Sequence, residues 1–422
     1  MKKRSKRING HAGTNDERRV DIGEILVETR RGLRELVVDV GLGVLTELLE
    51  EDRSLICGPR SRPQQDRQAS RYGHDRGRLV LGGRKIQVRK PRVRSTDGHE
   101  VQLPVWQQMA DEDPLRSRVV EQILVGVSTR NYDRSLEPIE GEQAESLSRS
   151  SVSRQFVAAT ERKLAEFFSQ SLQRIDFPSL MIDGTRLGDH VLVVLLGIDA
   201  SGRKHVLGLR EGSTENEEVC KSLFSDCIER GLKVERMRLF VIDGGKGLRK
   251  AIRSVFGNWA LIARCRVHKM RNVLEHLPLS KRSSVKAVIN RAWTAGSVPE
   301  ARPQLKSLAH QLKGAHPGAA NSLLEGLEET LTIISLGLTG SLAASLCSTN
   351  PIENLQGSLK RIARNVKRWR GGSMALRWAA TALLEAQSKF RCLRGCRQMP
   401  ELLAALDKVA ASSGIDARKQ VA

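Results

Sequence analysis

The sequence predicts an α/β protein built on a mixed sheet. Between residues 179 and 209, three short apolar runs are separated by tight-turn signals, the pattern of a three-stranded antiparallel meander. From 216 to 263, helical and strand patterns alternate, which adds strands through helical crossovers. A third observation bears on what surrounds that sheet. The 422 residues carry 70 Lys+Arg against 48 Asp+Glu, a formal net charge of +22. With 40% hydrophobic and 28% charged residues the chain is globular in composition, and its length suits about two to four domains.

Residues 1–20 are polar and basic and read as a flexible arm. Apolar residues from Ile22 to Leu49 recur at helical spacing. Residues 59–94 hold 12 Lys+Arg and two acids, and Gly77 to Val105 alternates short apolar runs with Gly, Pro and Asp-Gly, a small basic β-meander. Leu115 to Val127 marks another helix. Ser148-Arg-Ser-Ser-Val-Ser-Arg-Gln-Phe156 has a Ser/Arg-rich start and an apolar continuation. It suits the second helix of a helix-turn-helix, with Arg149, Ser151, Ser153 and Arg154 toward a DNA groove, or an ordinary helical hairpin with solvated charges.

In the sheet region, Ser179–Asp183 is a short strand ending in Asp-Gly, His190–Ile198 a long apolar strand, and Lys204–Leu209 a third. Asn216–Arg230 is an amphipathic helix, Met237–Ile242 a buried-type strand, Leu248–Phe256 a helix and Trp259–Ala263 a strand. From Val267 to Leu346 the pattern is helical. Asn350–Arg397 is again strongly basic, with 11 Lys+Arg against Glu353 and Glu385.

Several functional classes fall away. The purest apolar run, Val191–Ile198, is eight residues, far short of the ~20 that a membrane-spanning helix needs. The basic N-terminus has no apolar segment after it, so it does not read as a secretory signal. Seven widely spaced cysteines suit reduced thiols in a cytosol. Gly41-x-Gly43 and Asp243-Gly-Gly-Lys-Gly247 each lack part of a nucleotide-binding loop, which argues against an ATPase. The positive surplus points to a polyanionic partner, nucleic acid first.

Among 48 acids, geometry selects a few. Asp183 ends strand one. Asp199 lies at the far end of the antiparallel return. Asp243 ends a strand reached by a helical crossover, so it shares a sheet edge with Asp183 on an adjacent parallel strand. Two close aspartates repel, and binding divalent cations relieves the repulsion; hard oxygen ligands suit Mg²⁺. A turn residue at Asp183 and a helix N-cap at Asp243 are the plain alternatives. Glu353, in Ser348-Thr-Asn-Pro-Ile-Glu-Asn354, sits in the first turn of a helix opened by Pro351, as a third ligand or as a dipole-stabilising carboxylate.

Six segments then coincide with one family. Ile182-Asp-Gly184, Gly197-Ile-Asp-Ala-Ser-Gly-Arg203, Val241-Ile-Asp-Gly-Gly-Lys-Gly-Leu248, Arg264-Cys-Arg-Val-His-Lys-Met-Arg-Asn-Val273, Ser348–Asn354 and Asn365-Val-Lys-Arg-Trp-Arg-Gly371 occur in its order. The chain resembles the mutator-type bacterial insertion-sequence transposases, which are DDE recombinases. The resemblance implies a ribonuclease-H-like core with an all-helical insertion, preceded by helical and small β DNA-binding modules. It implies that Asp183, Asp243 and Glu353, spaced by 60 and 110 residues, hold two Mg²⁺ or Mn²⁺ ions. It also implies terminal inverted repeats and target DNA as partners, at least a homodimer when active, no membrane, and the bacterial cytoplasm at the nucleoid.

The expected organisation is an arm (1–20), an N-terminal helix with basic β-meander (21–110), a helical module (111–175), a first core part (176–280), a helical insertion (281–345), a core helix bearing Glu353 (346–397) and a tail (398–422). Cys265-x₂-His268 is an incomplete zinc set and reads as a buried Cys and a His beside the site. Trp293 reads as core packing or, as the resemblance implies, base stacking. Lys246 and the run Lys360, Arg361, Arg364, Lys367, Arg368 and Arg370 are expected on DNA, the run following Glu353 at mixed i+3/i+4 spacing, with a solvated basic face as the alternative. A DNA-binding protein without catalysis and a structure-selective nuclease remain the alternative functions.

Overall fold

The computed structural model describes residues 22–60, 68–81, 84–111, 116–136, 144–212 and 216–414, so the arm predicted for 1–20 lies outside the described residues. The chain divides into two units: 1–119 with 129–152, and 120–128 with 153–422.

The first unit holds helix α1 (Ile22–Cys57), strands β1 (Ala69–Leu81), β2 (Arg84–Ser95) and β3 (Glu100–Val101), helix α2 (Pro104–Asp111), the start of α3 (Arg116–Leu124), strand β4 (Ala144–Ser146) and the first turn of α4 (Arg149–Ser169). β1 and β2 form a long antiparallel hairpin, and β3 and β4 pair with β2. Its core joins Leu45 and Leu49 of α1 to Leu79, Ile86, Val88 and Val93 of the strands. Basic side chains decorate this sheet. The Arg92 and Arg94 guanidiniums lie 5.2 and 4.2 Å from the Tyr72 ring centroid.

One sequence expectation fails in this unit. The Ser148–Phe156 segment opens α4, but the element directly before it is strand β4, two residues away. No helix precedes the turn, so a helix-turn-helix is not formed there among the described residues. The reason is the open edge of β2, whose backbone at Arg84–Ile86 takes Ala144–Ser146 as a partner. Ser148 instead caps α4, its Oγ accepting from the Ser151 amide at 3.2 Å, and Arg149, Ser153 and Arg154 are exposed.

The second unit carries a five-stranded mixed sheet in the order β7-β6-β5-β8-β9. Its strands are β5 (Ser179–Leu187), β6 (His190–Ile198), β7 (Lys204–Gly212), β8 (Arg238–Ile242) and β9 (Ala260–Arg264), with α5 (Glu217–Glu229) and α6 (Lys246–Phe256) as crossovers. β5, β6 and β7 are the predicted antiparallel meander, and β5–β8 and β8–β9 are parallel. The sheet is buried on both faces, which is why β6 reads as an unbroken apolar run. Leu180, Ile182, Val193 and Phe240 pack on one face with α5 and α6. Met181, Val194, Leu239 and Val241 pack on the other, with the C-terminal helices.

Those helices are α7 (Arg266–Glu275), α8 (Leu279–Trp293), α9 (Val298–Lys313), α10 (Pro317–Leu324), α11 (Leu327–Ser335), α12 (Gly340–Leu346), α13 (Asn350–Ala363), α14 (Gly372–Ser388) and α15 (Met399–Ser412). α7 to α11 share a core running from Met270 to Leu331. Ile333 to Leu346 and α13 to α15 pack against the sheet.

Candidate active site

Strand alternation decides which way the candidate acids point. In β5, Met181 faces the side of the sheet covered by α13, and Asp183, two residues on, shares its face. In β8, Leu239 and Val241 face the same side, and Asp243 follows in phase. The parallel register of the two strands runs to Met181↔Val241, two residues before Asp183 on one strand and before Asp243 on the other. α13 buries Ile352, Leu355, Gln356, Leu359 and Ala363 against that face, which brings Glu353 in its first turn to the same region.

Asp183 does not end its strand. β5 continues through Leu187, and the hairpin turn is Gly188-Asp189, with Gly188 at φ +60°. Nine successive pairs with β6 hold Asp183-Gly184 extended and override the turn preference of Asp-Gly. The turn-residue reading of Asp183 is therefore excluded. Its Oδ2 accepts from Gln356 Nε2 at 3.1 Å, a direct tie between strand β5 and the helix of Glu353.

Asp243 is not the N-cap of α6; Gly245 is. Asp243 Oδ1 accepts the Gly245 amide at 2.9 Å, and the chain turns at Gly244 with φ +106°. A Cβ on Gly244 would lie 2.2 Å from Arg264 Nε, so both conformation and space demand glycine there. Gly244→Ala is expected to destabilise the fold by about 1–3 kcal/mol, read as a lower denaturation midpoint. An unchanged midpoint would contradict this account of the turn. Lys246 opens α6 and is exposed.

Glu353 is held by a small polar hub. Thr349 Oγ1 donates to Glu353 Oε1 at 2.5 Å, and the Thr349 amide donates to Cys265 Sγ at 3.4 Å. His268 Nδ1 lies 3.4 Å from the same hydroxyl and 3.8 Å from Glu353 Oε1. The Cys265 amide donates to the Ile242 carbonyl at 2.7 Å, which ties the start of α7 to the residue before Asp243. Burial pushes the Cys265 thiol up, but hydrogen bonds with His268 and Thr349 outweigh it and leave its pKa lowered. The hydrogen bond to Cys265, and then the charges of Cys265, Glu353 and Asp243, raise His268 against the opposing effect of burial.

Cys265, His268 and Glu353 are the group of three whose ligand atoms all lie within 4.8 Å of one another among the described residues. That donor set would suit zinc. However, the Thr349 hydroxyl, 3.3 Å from Sγ, 3.4 Å from Nδ1 and 2.5 Å from Oε1, stands among all three, so the cluster is a hydrogen-bond hub. Asp183, Asp243 and Glu353 are not drawn together to that distance. They offer hard oxygen donors from two adjacent strands and one packed helix. No Lys or Arg forms an ion pair with Asp243 among the described residues, and its charge acts on His268. A donor set of this kind fits divalent cations of the Mg²⁺ type.

The basic residues divide. Lys360 and Arg361 lie in the last turn of α13 and Arg364 is its C-cap. Helical spacing does not extend to Lys367, Arg368 and Arg370, because the helix stops at Ala363. Asn365 donates to the Gly126 carbonyl at 2.9 Å, and Trp369 packs over Gly188 and beside Trp378, which pulls the chain off the helix axis. All six basic side chains are exposed. Trp293 is core: it is 8% exposed, and its Nε1 donates to Thr330 Oγ1 at 3.3 Å. It therefore offers no stacking platform here.

Sequence reasoning missed Gln356 and Thr349. Gln356 lies on the Glu353 helix at i+3 and Thr349 is its N-cap at i−4, positions that share its face, and that spacing was the available signal.

Comparisons with known proteins bear on the family of the chain. The family described as Transposase, Mutator family matches residues 19–392. The chain is 26% identical over 373 residues to the transposase for insertion sequence element IS256 in transposon Tn4001 of Staphylococcus aureus, covering 83% of this chain and 91% of that one. It is 27% identical over 344 residues to the transposase for ISRM5 of Rhizobium meliloti, covering 81% and 84%. It is 30% identical over 237 residues to the transposase for IS6120 of Mycolicibacterium smegmatis, covering 55% and 71%. With six ordered motifs, an acidic site on a mixed sheet and a family match over most of its length, the chain belongs to the mutator family of transposases.

Proposed function

We propose that the chain binds the terminal inverted repeats of an insertion sequence, cleaves a phosphodiester to free a 3′-OH, and joins that 3′-OH to target DNA. The observation that supports this reading is the parallel pairing of the strands that lead into Asp183 and Asp243, packed on one face under the helix that bears Glu353. The core is read as ribonuclease-H-like.

Each acid has its own orienting group: Gln356 for Asp183, the Gly245 amide for Asp243 and Thr349 for Glu353. Fixing the carboxylates before substrate arrives lowers the cost of organising the site. Three carboxylates would repel a DNA phosphate, so the site needs cations to accept one. Two Mg²⁺ or Mn²⁺ ions held by Asp183, Asp243 and Glu353 would supply Lewis acidity for phosphodiester cleavage and joining without a covalent protein–DNA intermediate. Lys246, Lys360, Arg361, Arg364, Lys367, Arg368 and Arg370 are exposed cations for phosphates. Pairing two element ends takes at least a dimer. No helix among the described residues is long and apolar enough to cross a membrane.

Incubating the protein with end-containing DNA, a target plasmid and Mg²⁺ tests the reading. Nicked 3′-OH ends that become joined to the plasmid are the expected product. Nicking that never leads to joining would point to a nuclease of the same fold, and binding without nicking would point to a catalytically inactive DNA-binding protein. A second test concerns α4. Arg149→Ala with Arg154→Ala should weaken binding to element ends by about tenfold and binding to random duplex by less. Equal losses on both would make the two arginines phosphate contacts.

A further inference from the structure

Along α13, the helix that bears Glu353, the second unit has a hollow of about 900 Å³. Pro351 and Asn354, from the same helical turn as Glu353, are among the residues that line it. Its walls combine two chemistries. Lys204, Arg361, Arg364 and Arg391 line it, and none of them pairs with an acid among the described residues. The two lining acids are Glu121 and Glu385, and Glu385 is engaged with Lys389 at 2.6 Å. Apart from Ser358 and Asn354 the rest of the lining is apolar, with Val125, 76% exposed, and the half-buried ring of Phe390. The Lys204 ammonium lies 4.9 Å from the centroid of that ring.

Cations alone would suit the outside of a duplex. A duplex, however, keeps its base faces stacked inside and offers nothing to an aromatic and apolar floor. A hollow of this size takes a few nucleotides at most, far less than a duplex. An unpaired strand presents both a phosphate backbone and exposed base faces, and basic grooves with an aromatic platform are how proteins hold such strands.

We propose that this hollow is a binding site for an unpaired DNA strand, with Arg361, Arg364 and Arg391 on its phosphates and Phe390 stacked on a base. The proposal rests on the reading that DNA is processed at Glu353, and it adds that strands are separated along the helix that bears that residue. Phe390 lies outside every motif noted in the sequence, in the loop after α14, and the fold brings it to α13.

Fluorescence anisotropy of the full chain without metal tests it, with labelled oligothymidylate, an abasic oligomer of equal length and a random duplex as probes. The intact protein is expected to bind oligothymidylate about tenfold more tightly than the abasic oligomer, which has the phosphates but no bases. Phe390→Ala should remove that preference and Phe390→Trp should keep it. Equal affinity of the intact protein for the two oligomers would overturn the proposal, whatever the variants do. Equal losses by Phe390→Ala on all three probes would also overturn it. So would displacement of oligothymidylate by polyglutamate as effectively, charge for charge, as by unlabelled oligothymidylate, because the hollow would then favour an acidic peptide. No cleavage is read, so an inactive triad would leave this result unaffected.

Discussion

Glu353→Gln is expected to lower DNA nicking by about a thousandfold while leaving the fold intact. The residue is in the first turn of α13 and is half-buried, so the amide fits without repacking the core. Gln keeps the volume and can still accept the Thr349 hydroxyl. It loses the negative charge that the proposed chemistry requires. Binding to element-end DNA should stay within a few-fold, or tighten, because a carboxylate beside phosphates is removed. Gel-resolved nicking and a thermal melt, run on the same preparation, separate lost chemistry from lost structure. A parental nicking rate in this variant would remove Glu353 from the site.

Thr349→Val is the second large effect. Thr349 is fully buried and nearly isosteric with Val, so packing is conserved while one hydroxyl disappears. That hydroxyl is the donor to Glu353 and the centre of the Cys265–His268 hub. Groups that orient a ligating residue typically cost 10–100-fold when removed, and a loss of that order in nicking is expected here. Thr349→Ser, which keeps the hydroxyl, should retain most of the activity. If Ser and Val fall equally, the residue acts through packing and the hydrogen bond to Glu353 has no functional weight.

How much of this was legible in the sequence depends on which interactions are local. The sheet strands were readable because burial on both faces demands continuous apolar runs, and β6 matches its predicted span, His190–Ile198. The parallel pairing of the strands that lead into Asp183 and Asp243 followed from the crossover rule, which depends only on element order. Asp-Gly at 183–184 misled because a local turn preference competed with a nine-pair ladder that is visible only in the fold. The Ser/Arg segment at 148–156 is helical as read, but three residues of β4 are too few to announce a strand, and their partner lies some 60 residues away on β2. Lys367, Arg368 and Arg370 continue a helical spacing on paper. The packing of Trp369 over Gly188, a tertiary contact, ends it. Gln356 is an ordinary helix residue, and Thr349 an ordinary N-cap, until the sheet beneath them is known.

The central claim is that Asp183, Asp243 and Glu353 form one site that both frees a 3′-OH and joins it to DNA. Its most direct measurement is joining of labelled element-end DNA to a target plasmid in Mg²⁺, with the parent and Asp183→Asn assayed side by side. The account predicts joined product from the parent and none from Asp183→Asn, although the variant still binds the end. Joined product from Asp183→Asn at the parental rate would contradict it.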